Sequence, residues 1–150
     1  MSFPLPHPMR LALDLAAEAA RAGEVPVAAV ITRGDTVIAS AANNMRGGAD
    51  PTAHAEMQVI RAAAALLDAQ RLDDCDLWVT LEPCAMCAGA ISHARLRRLY
   101  YAVDDPKGGA VAHGPRFFTQ PTCHHRPEIY GGIGEEEAAL QLRAFFAARR

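Results

Sequence analysis

The fold of this chain is decided by residues 76–103, which read DLWVTLEPCAMCAGAISHARLRRLYYAV. The stretch opens with a strand-like pattern at Asp76–Leu81, continues with a helix-like run, and closes with a second strand-like pattern at Arg97–Val103. Two strands joined by a helix of this length form a right-handed βαβ unit with parallel strands. The stretch therefore predicts an α/β fold that places Cys84 and Cys87 at the carboxyl edge of the sheet, where such folds bind ligands.

The segments on either side of this unit predict the remaining elements. Val25–Ile31 is apolar at every position, which is typical of a strand covered on both faces. A long helical pattern runs from about His54 to Gln70, and one of its faces should pack on the sheet. That face contains Met57, Ile60, Ala64 and Leu67. Further patterns predict helices at 9–23 and 135–150, a second strand at 37–42, and a loop-rich segment at 104–134. Together they predict a single domain over residues 1–150, an α/β/α fold of three layers with a mixed sheet of about five strands.

Length and composition limit the classes of protein to which the chain can belong. With 150 residues, 51% of them hydrophobic, the chain suits one packed domain. No apolar run approaches the roughly 18 residues of a membrane span, and the first ten residues lack the pattern of a secretory signal. Four cysteines are too few for a disulfide scaffold, which indicates a reducing cytoplasm. The net charge of −2 argues against a protein that coats nucleic acid without specificity.

The cysteine pair in "EPCAMC" has three possible uses. A C-x-x-C can be a redox dithiol, half of a structural zinc site, or part of an open catalytic metal site. Pro83 favours the start of a helix, so Cys84 and Cys87 should lie one turn apart near a helix N-terminus, where thiolates are stabilised. A redox pair usually follows the first strand, whereas this pair lies past the middle of the chain. The pair by itself leaves the redox and metal interpretations open.

A second stretch, "DPTAHAEMQ", supplies His54 and Glu56 at the start of the other long helix. One His and two Cys form a catalytic zinc set with an open fourth position. Cys75 and the Cys123–His125 segment are the remaining candidates for a fourth ligand, and the spacing favours neither. A carboxylate beside such a metal can take a proton from water and pass it on, which is the role predicted for Glu56.

The combination of "HAE" with "PCAMC" resembles the signature of the zinc-dependent nucleobase deaminases. The longer strings "GEVPVAAVI", "DPTAHAE", "TLEPCAMCAGAI" and "FFAARR" resemble the bacterial tRNA-specific adenosine deaminases, and this resemblance extends from about Arg10 to Arg150. It implies a cytidine-deaminase-like fold, with Zn²⁺ held by His54, Cys84 and Cys87 and with Glu56 shuttling protons. The implied reaction converts adenosine to inosine at the wobble position of a tRNA anticodon, with the base flipped into the pocket.

The same resemblance implies the remaining partners and contacts. The family works as a homodimer in which both subunits shape the RNA site. Residues implied near the anticodon loop are Asn43, Asp105, Lys107, Phe146, Arg149 and Arg150. Because Phe145 and Phe146 are adjacent on a helix, one of them should pack inward. The segment "HGPRFFTQPTCHHRPEIYGG" differs from that of better-known members in its first half.

Two other functions fit parts of the pattern. A deaminase of a free base or nucleoside, such as guanine, cytosine or cytidine, would use the same zinc chemistry in a more closed pocket. A zinc-stabilised binding module without catalysis would have no use for an unliganded carboxylate beside the metal, so Glu56 argues against it. A second metal site at Cys123–His125 is disfavoured, because adjacent histidines in an extended segment point in opposite directions.

Overall fold

The computed structural model describes residues 4–149, and their backbone forms four α-helices and five β-strands. In chain order these are α1 (His7–Arg21), β1 (Ala28–Arg33), β2 (Thr36–Ala42), α2 (Ala55–Leu67), β3 (Asp76–Leu81), α3 (Ala85–Ala94), β4 (Arg98–Val103), β5 (Glu128–Tyr130) and α4 (Glu135–Ala147). The same described residues contain one 3₁₀ turn, at Phe117–Thr119. Gly34 makes the tight turn between β1 and β2 with a positive φ of 59°.

The five strands form one mixed sheet in the order β2-β1-β3-β4-β5. β1 pairs antiparallel with both β2 and β3, whereas β3 pairs parallel with β4, and β4 parallel with β5. The parallel pair β3–β4 is joined by α3, so the predicted βαβ unit is confirmed. The mixed sheet of five strands is also confirmed.

Alternate residues of the central strands enter two separate hydrophobic cores. Ala29 and Ile31 of β1 face a core shared with α2 and α3, whereas Val30 faces a core shared with α1 and α4. All three side chains are fully buried. The continuous apolar run of β1 follows from this position, since a strand covered on both faces has no place for a solvated side chain. The predicted three-layer arrangement is therefore confirmed.

The prediction of which side of α2 is buried is wrong. The helix is rotated about its own axis relative to the predicted orientation. Ala55, Val59 and Ala63 are fully buried and Glu56 is nearly so, whereas Ile60 and Leu67 are only partly buried. Met57 and Ala64 are also only partly buried. Small alanines let α2 approach the sheet and α3 closely, so the side that carries them faces the core. The larger apolar residues lie at the border of the helix interface.

The segment predicted to be mostly loop contains the fifth strand. β5 has only three residues, all exposed, and it pairs with β4 through its backbone, so no apolar pattern marks it. Its Tyr130 ring stacks on Tyr100 of β4, which stacks on Trp78 of β3 with ring centroids 3.8 Å apart. The Trp78 indole also donates a hydrogen bond to Oγ1 of Thr32 at 3.0 Å. Trp78 is thus a half-buried member of the sheet packing.

Helix boundaries differ from the predictions by one to three residues at several ends. The prediction of a single domain over residues 1–150 stays a prediction, because residues 1–3 and 150 lie outside the described part. None of the described helices combines the length and hydropathy that a membrane span requires.

Leu99 provides a test of the core between the sheet and helices α2 and α3. Its side chain is fully buried, so Leu99→Ala should lower the free energy of unfolding by about 2–5 kcal/mol. The matched control is Leu66→Ala on α2, where 66% of the residue is exposed, and it should change stability by about 0.5 kcal/mol or less. Urea denaturation of both variants measures the difference. Equal losses in the two variants would contradict this description of the core.

Candidate active site

His54 and Cys84 hold equivalent positions, because each is the residue that immediately precedes a helix. His54 is the N-cap of α2 (φ −66°, ψ 151°) and Cys84 is the N-cap of α3 (φ −75°, ψ 177°). Neither side chain forms a hydrogen bond that caps its own helix, which leaves both free for another partner. Pro83 therefore lies before the N-cap of α3, two positions earlier than the first helical position that the sequence suggested, because the backbone of Cys84 is still extended.

The docking of α2 and α3 on the sheet brings three ligand atoms together. Nδ1 of His54 lies 3.6 Å from Sγ of Cys84 and 3.5 Å from Sγ of Cys87. A tetrahedral zinc ion with ordinary Zn–N and Zn–S bonds would place such atoms about 3.6 Å apart, so the spacing fits that ion. All three ligand atoms lie within 4.8 Å of one another, and no other group of three or more His, Cys, Asp or Glu side chains with this spacing occurs in residues 4–149.

The two thiols of the cluster differ in their protonation. A hydrogen bond with Cys87 is the main cause that lowers the pKa of Cys84 to about 5, against the opposing effect of burial. The same hydrogen bond, together with burial, raises the pKa of Cys87. The cluster thus contains one ready thiolate, and a metal ion that binds there displaces the remaining thiol proton.

Glu56 lies in the first turn of α2 and is only 4% exposed. Burial raises the pKa of its carboxyl group to about 7, with smaller opposing contributions from a backbone hydrogen bond and from His54. Two positions apart on a regular helix, His54 and Glu56 would point in different directions. They share one cavity here because His54 precedes the helix and has an extended backbone.

This cavity has a volume of about 280 Å³ and opens at the carboxyl end of β3. Its lining includes the side chains of Asn43, His54, Glu56, Cys84 and Asp105. A second cavity of about 420 Å³ adjoins it, and the two share Val25, Asn43 and Met45. The site is therefore a pocket that continues along the protein surface.

Among residues 4–149, the lining of the smaller cavity does not include three of the predicted RNA contacts. Lys107 is exposed on the same loop as Asp105. On α4, Phe145 is buried while Phe146 is 48% exposed, which confirms that one of the two rings packs inward. The Arg149 guanidinium lies 3.5 Å above the Phe145 ring. Arg150 lies outside the described residues.

Glu82 is the site residue that sequence reasoning missed. Its carboxylate is completely buried and accepts hydrogen bonds from backbone N–H groups of residues 105 and 111–113. Burial alone would raise the pKa of Glu82, but these donors and the ring of His113 lower it, so the group is ionised. The only signal in the sequence is an acidic residue between an apolar strand and Pro83.

The Cys123–His125 segment serves the fold. Nε2 of His125 lies 2.7 Å from the carbonyl oxygen of Leu96, and the Cys123 thiol contacts Ser92 and the His125 carbonyl. The Cys75 thiol is buried beside Asp74. Neither the Cys123–His125 segment nor Cys75 therefore supplies a fourth ligand to the cluster of His54, Cys84 and Cys87.

Comparison with known proteins decides the family. A tRNA-specific adenosine deaminase from Agrobacterium fabrum is 55% identical over 96% of this chain and 95% of its own length. The chain belongs to the tRNA-specific adenosine deaminases. It also belongs to the wider MafB19-like deaminase family, which matches residues 6–133. The resemblance to the tRNA-specific adenosine deaminases, which the longer strings such as "TLEPCAMCAGAI" carry, is thereby confirmed.

Two solved structures extend the comparison. A tRNA:A34 deaminase described for A-to-I editing at the wobble position of transfer RNA has a TM-score of 0.89 and 55% identity, over 91% of this chain and 99% of that one. This likeness confirms the predicted cytidine-deaminase-like fold. A guanine deaminase from Bacillus subtilis is 43% identical over 67% of this chain and 66% of its own, with a TM-score of 0.64.

We expect the cluster of His54, Cys84 and Cys87 to bind one metal ion per chain. Cys87→Ala should abolish stoichiometric binding, because the remaining two ligands do not hold an ion tightly. The matched control is Cys123→Ala, which removes a thiol outside the cluster and should keep the full metal content. Metal analysis of the purified proteins measures both. A full metal content in Cys87→Ala, or its loss in Cys123→Ala, would contradict the assignment.

Proposed function

We propose that this chain deaminates the wobble adenosine of a tRNA anticodon, so that oxygen replaces the 6-amino group, inosine forms and ammonia leaves. One observation carries the proposal. A chain that is 55% identical to a tRNA-specific adenosine deaminase over nearly its whole length also has His54, Glu56 and Cys84 in the lining of one cavity, with Cys87 beside His54. Membership of the family and the residues for its chemistry therefore occur together.

The metal that we propose for the cluster is zinc. One imidazole and two thiolates are a zinc donor set of the catalytic kind, and the atom spacing supports a tetrahedral ion. When bound, zinc would supply the Lewis acidity that activates water for hydrolysis. Cys84 and Cys87 would contribute the negative charge, and His54 would complete the protein ligands.

Glu56 is proposed to move protons. Its carboxylate lies beside the three ligands without being one of them, and it is screened from bulk water. In hydrolysis of an amino group, a proton must leave the attacking water and another must reach the departing nitrogen. A single carboxylate oxygen between the two positions can accept the first proton and deliver it to the amine.

The RNA is proposed to lie across both cavities and the neighbouring loop. Asn43 and Asp105 line the pocket for the flipped base, and Asn43 also lines the adjoining cavity. Lys107 would contact phosphate next to the base. Phe146, Arg149 and Arg150 are proposed to contact the RNA farther from the reacting base. A free base would need no second cavity beside the first, which favours a polymer substrate.

We also propose a homodimer and a cytoplasmic location. The homodimer rests on the resemblance to the family. The location is supported by the four cysteines, all of which are free thiols, as expected for a protein in a reducing compartment. Sedimentation of the purified chain would measure the assembly.

Replacement of Glu56 should separate catalysis from metal binding. Glu56→Ala should keep its metal and its fold, but turnover should fall by about 10²–10⁴-fold, since proton transfer loses its carrier. Glu136→Ala, at an exposed position of α4, is the control and should retain activity. Metal content and inosine formation are measured on the same samples. Turnover close to that of the unmodified chain in Glu56→Ala would remove this residue from the mechanism.

The substrate proposal predicts a preference for an anticodon stem-loop over small molecules. A flipped base arrives with its neighbouring nucleotides, whose binding energy positions the reacting carbon, whereas a free nucleoside lacks those contacts. Turnover should be compared on a stem-loop with wobble adenosine, on adenosine, on cytidine and on guanine. A small molecule processed as well as the stem-loop would replace this proposal with a free-base or nucleoside deaminase.

A further inference from the structure

Glu82 directly follows the last residue of β3. It lies two residues before Cys84, a member of the cluster of candidate metal ligands. Its side chain has no exposure to solvent. An ionised carboxylate is costly to bury unless each oxygen accepts hydrogen bonds. The groups that donate these hydrogen bonds therefore show which part of the protein the Glu82 carboxylate stabilises.

All of the donors come from the loop of residues 105–113. Oε1 accepts the N–H of Asp105 at 3.0 Å and lies 2.8 Å from Nδ1 of His113. Oε2 accepts the N–H groups of Val111, Ala112 and His113 at 3.1, 3.0 and 3.2 Å. One side chain thus holds both ends of a nine-residue loop that has no regular secondary structure.

The path of this loop is adapted to the carboxylate. A Cβ atom added at Gly109 would overlap Oε2 of Glu82 and would lie only 2.5 Å from the carbonyl oxygen of Asp105. The loop is closed further by the N–H of Gly109, which donates to the Asp105 carbonyl at 2.9 Å. Glycine at this position lets the backbone pass directly over the Glu82 side chain.

The loop also forms a wall of the active site. Asp105 and Gly108 line the catalytic cavity, and Oδ1 of Asp105 accepts the backbone N–H groups of Lys107 and Gly108. The orientation of Asp105 therefore controls the position of Lys107. Both residues depend on the anchor that Glu82 provides.

We propose that Glu82 is a positioning residue, which holds the 105–113 loop in the conformation that receives the RNA substrate. The proposal rests on the deaminase function proposed above. An anchored loop contributes its contacts without first being ordered, whereas a loose loop must lose conformational freedom on binding. Loss of the anchor should therefore weaken substrate binding more than the chemical step.

The test compares two acid-to-amide variants at opposite ends of β3. Glu82→Gln keeps the shape of the side chain but presents an NH₂ group to at least one backbone donor. The control is Asp76→Asn, where a carboxylate that is 8% exposed pairs with Arg97 away from the cavity. His113→Ala removes only the ring contact and provides a second, milder variant. Each metal-loaded protein is assayed on the stem-loop, and hydrogen exchange is followed along the backbone.

For Glu82→Gln we expect KM for the stem-loop to rise about tenfold while kcat changes less than about threefold, with the metal retained. Exchange should accelerate in residues 105–113 and stay unchanged in β3 and β4. His113→Ala should shift KM and exchange in the same direction by a smaller factor, and it decides the question if Glu82→Gln does not fold. Asp76→Asn should leave KM unaltered.

Unchanged KM and unchanged exchange in the 105–113 loop would overturn the proposal. Loss of metal, or faster exchange throughout β3 and β4, would also overturn it, because Glu82 would then support the sheet in general. A wild-type chain that fails to deaminate the stem-loop would refute the proposed function instead. The exchange measurements would still determine whether Glu82 anchors the loop.

Discussion

The active site depends on one constraint, which is that helices α2 and α3 begin at the same edge of the sheet. His54 and Cys84 precede these helices with extended backbones, and neither side chain caps its own helix. The imidazole and the thiol can therefore meet at 3.6 Å, and Cys87 joins them from the first turn of α3. The hydrogen bond with Cys87 and, to a smaller extent, backbone N–H groups at the start of α3 lower the pKa of Cys84, which prepares this thiol as a ligand for a metal ion.

The same docking gives Glu56 its environment. The side of α2 that faces the core carries small residues, and these allow the helix to approach the sheet so closely that the carboxyl group is excluded from solvent. Burial then raises the pKa of Glu56 to about 7. The packing of α2 on the sheet therefore stabilises the fold and also raises the pKa of the carboxyl group that is proposed to carry protons.

Two further glutamates organise the surroundings of this pocket. Glu82 holds the 105–113 loop, and Glu24 accepts the N–H groups of Arg46 and Gly47 at 3.2 and 2.8 Å in the loop on the other side. Loops without regular secondary structure leave backbone N–H groups unpaired, and each buried carboxylate satisfies several of them at once. The candidate metal ligands and the proposed proton carrier lie at the starts of helices, whereas these acidic side chains hold the loops around the pocket.

The sequence by itself determined the βαβ unit, because a strand-helix-strand pattern is local. It also named His54, Cys84 and Cys87 as candidate metal ligands with Glu56 beside them, because the short motifs "HAE" and "PCAMC" carry a family resemblance. The docking of α2 and α3 on the sheet brings His54 to the two thiols across 30 and 33 residues of chain. Only the tertiary structure decided which side of α2 faces the core, since that choice depends on how closely alanines can approach the sheet. It also decided that three exposed residues form β5, which pairs with β4 through its backbone and stacks Tyr130 on Tyr100. The hydrogen bonds of Glu82 were also decided by the tertiary structure. Their backbone donors lie 23 to 31 residues farther along the chain, and no local sequence pattern encodes a hydrogen bond to a distant backbone.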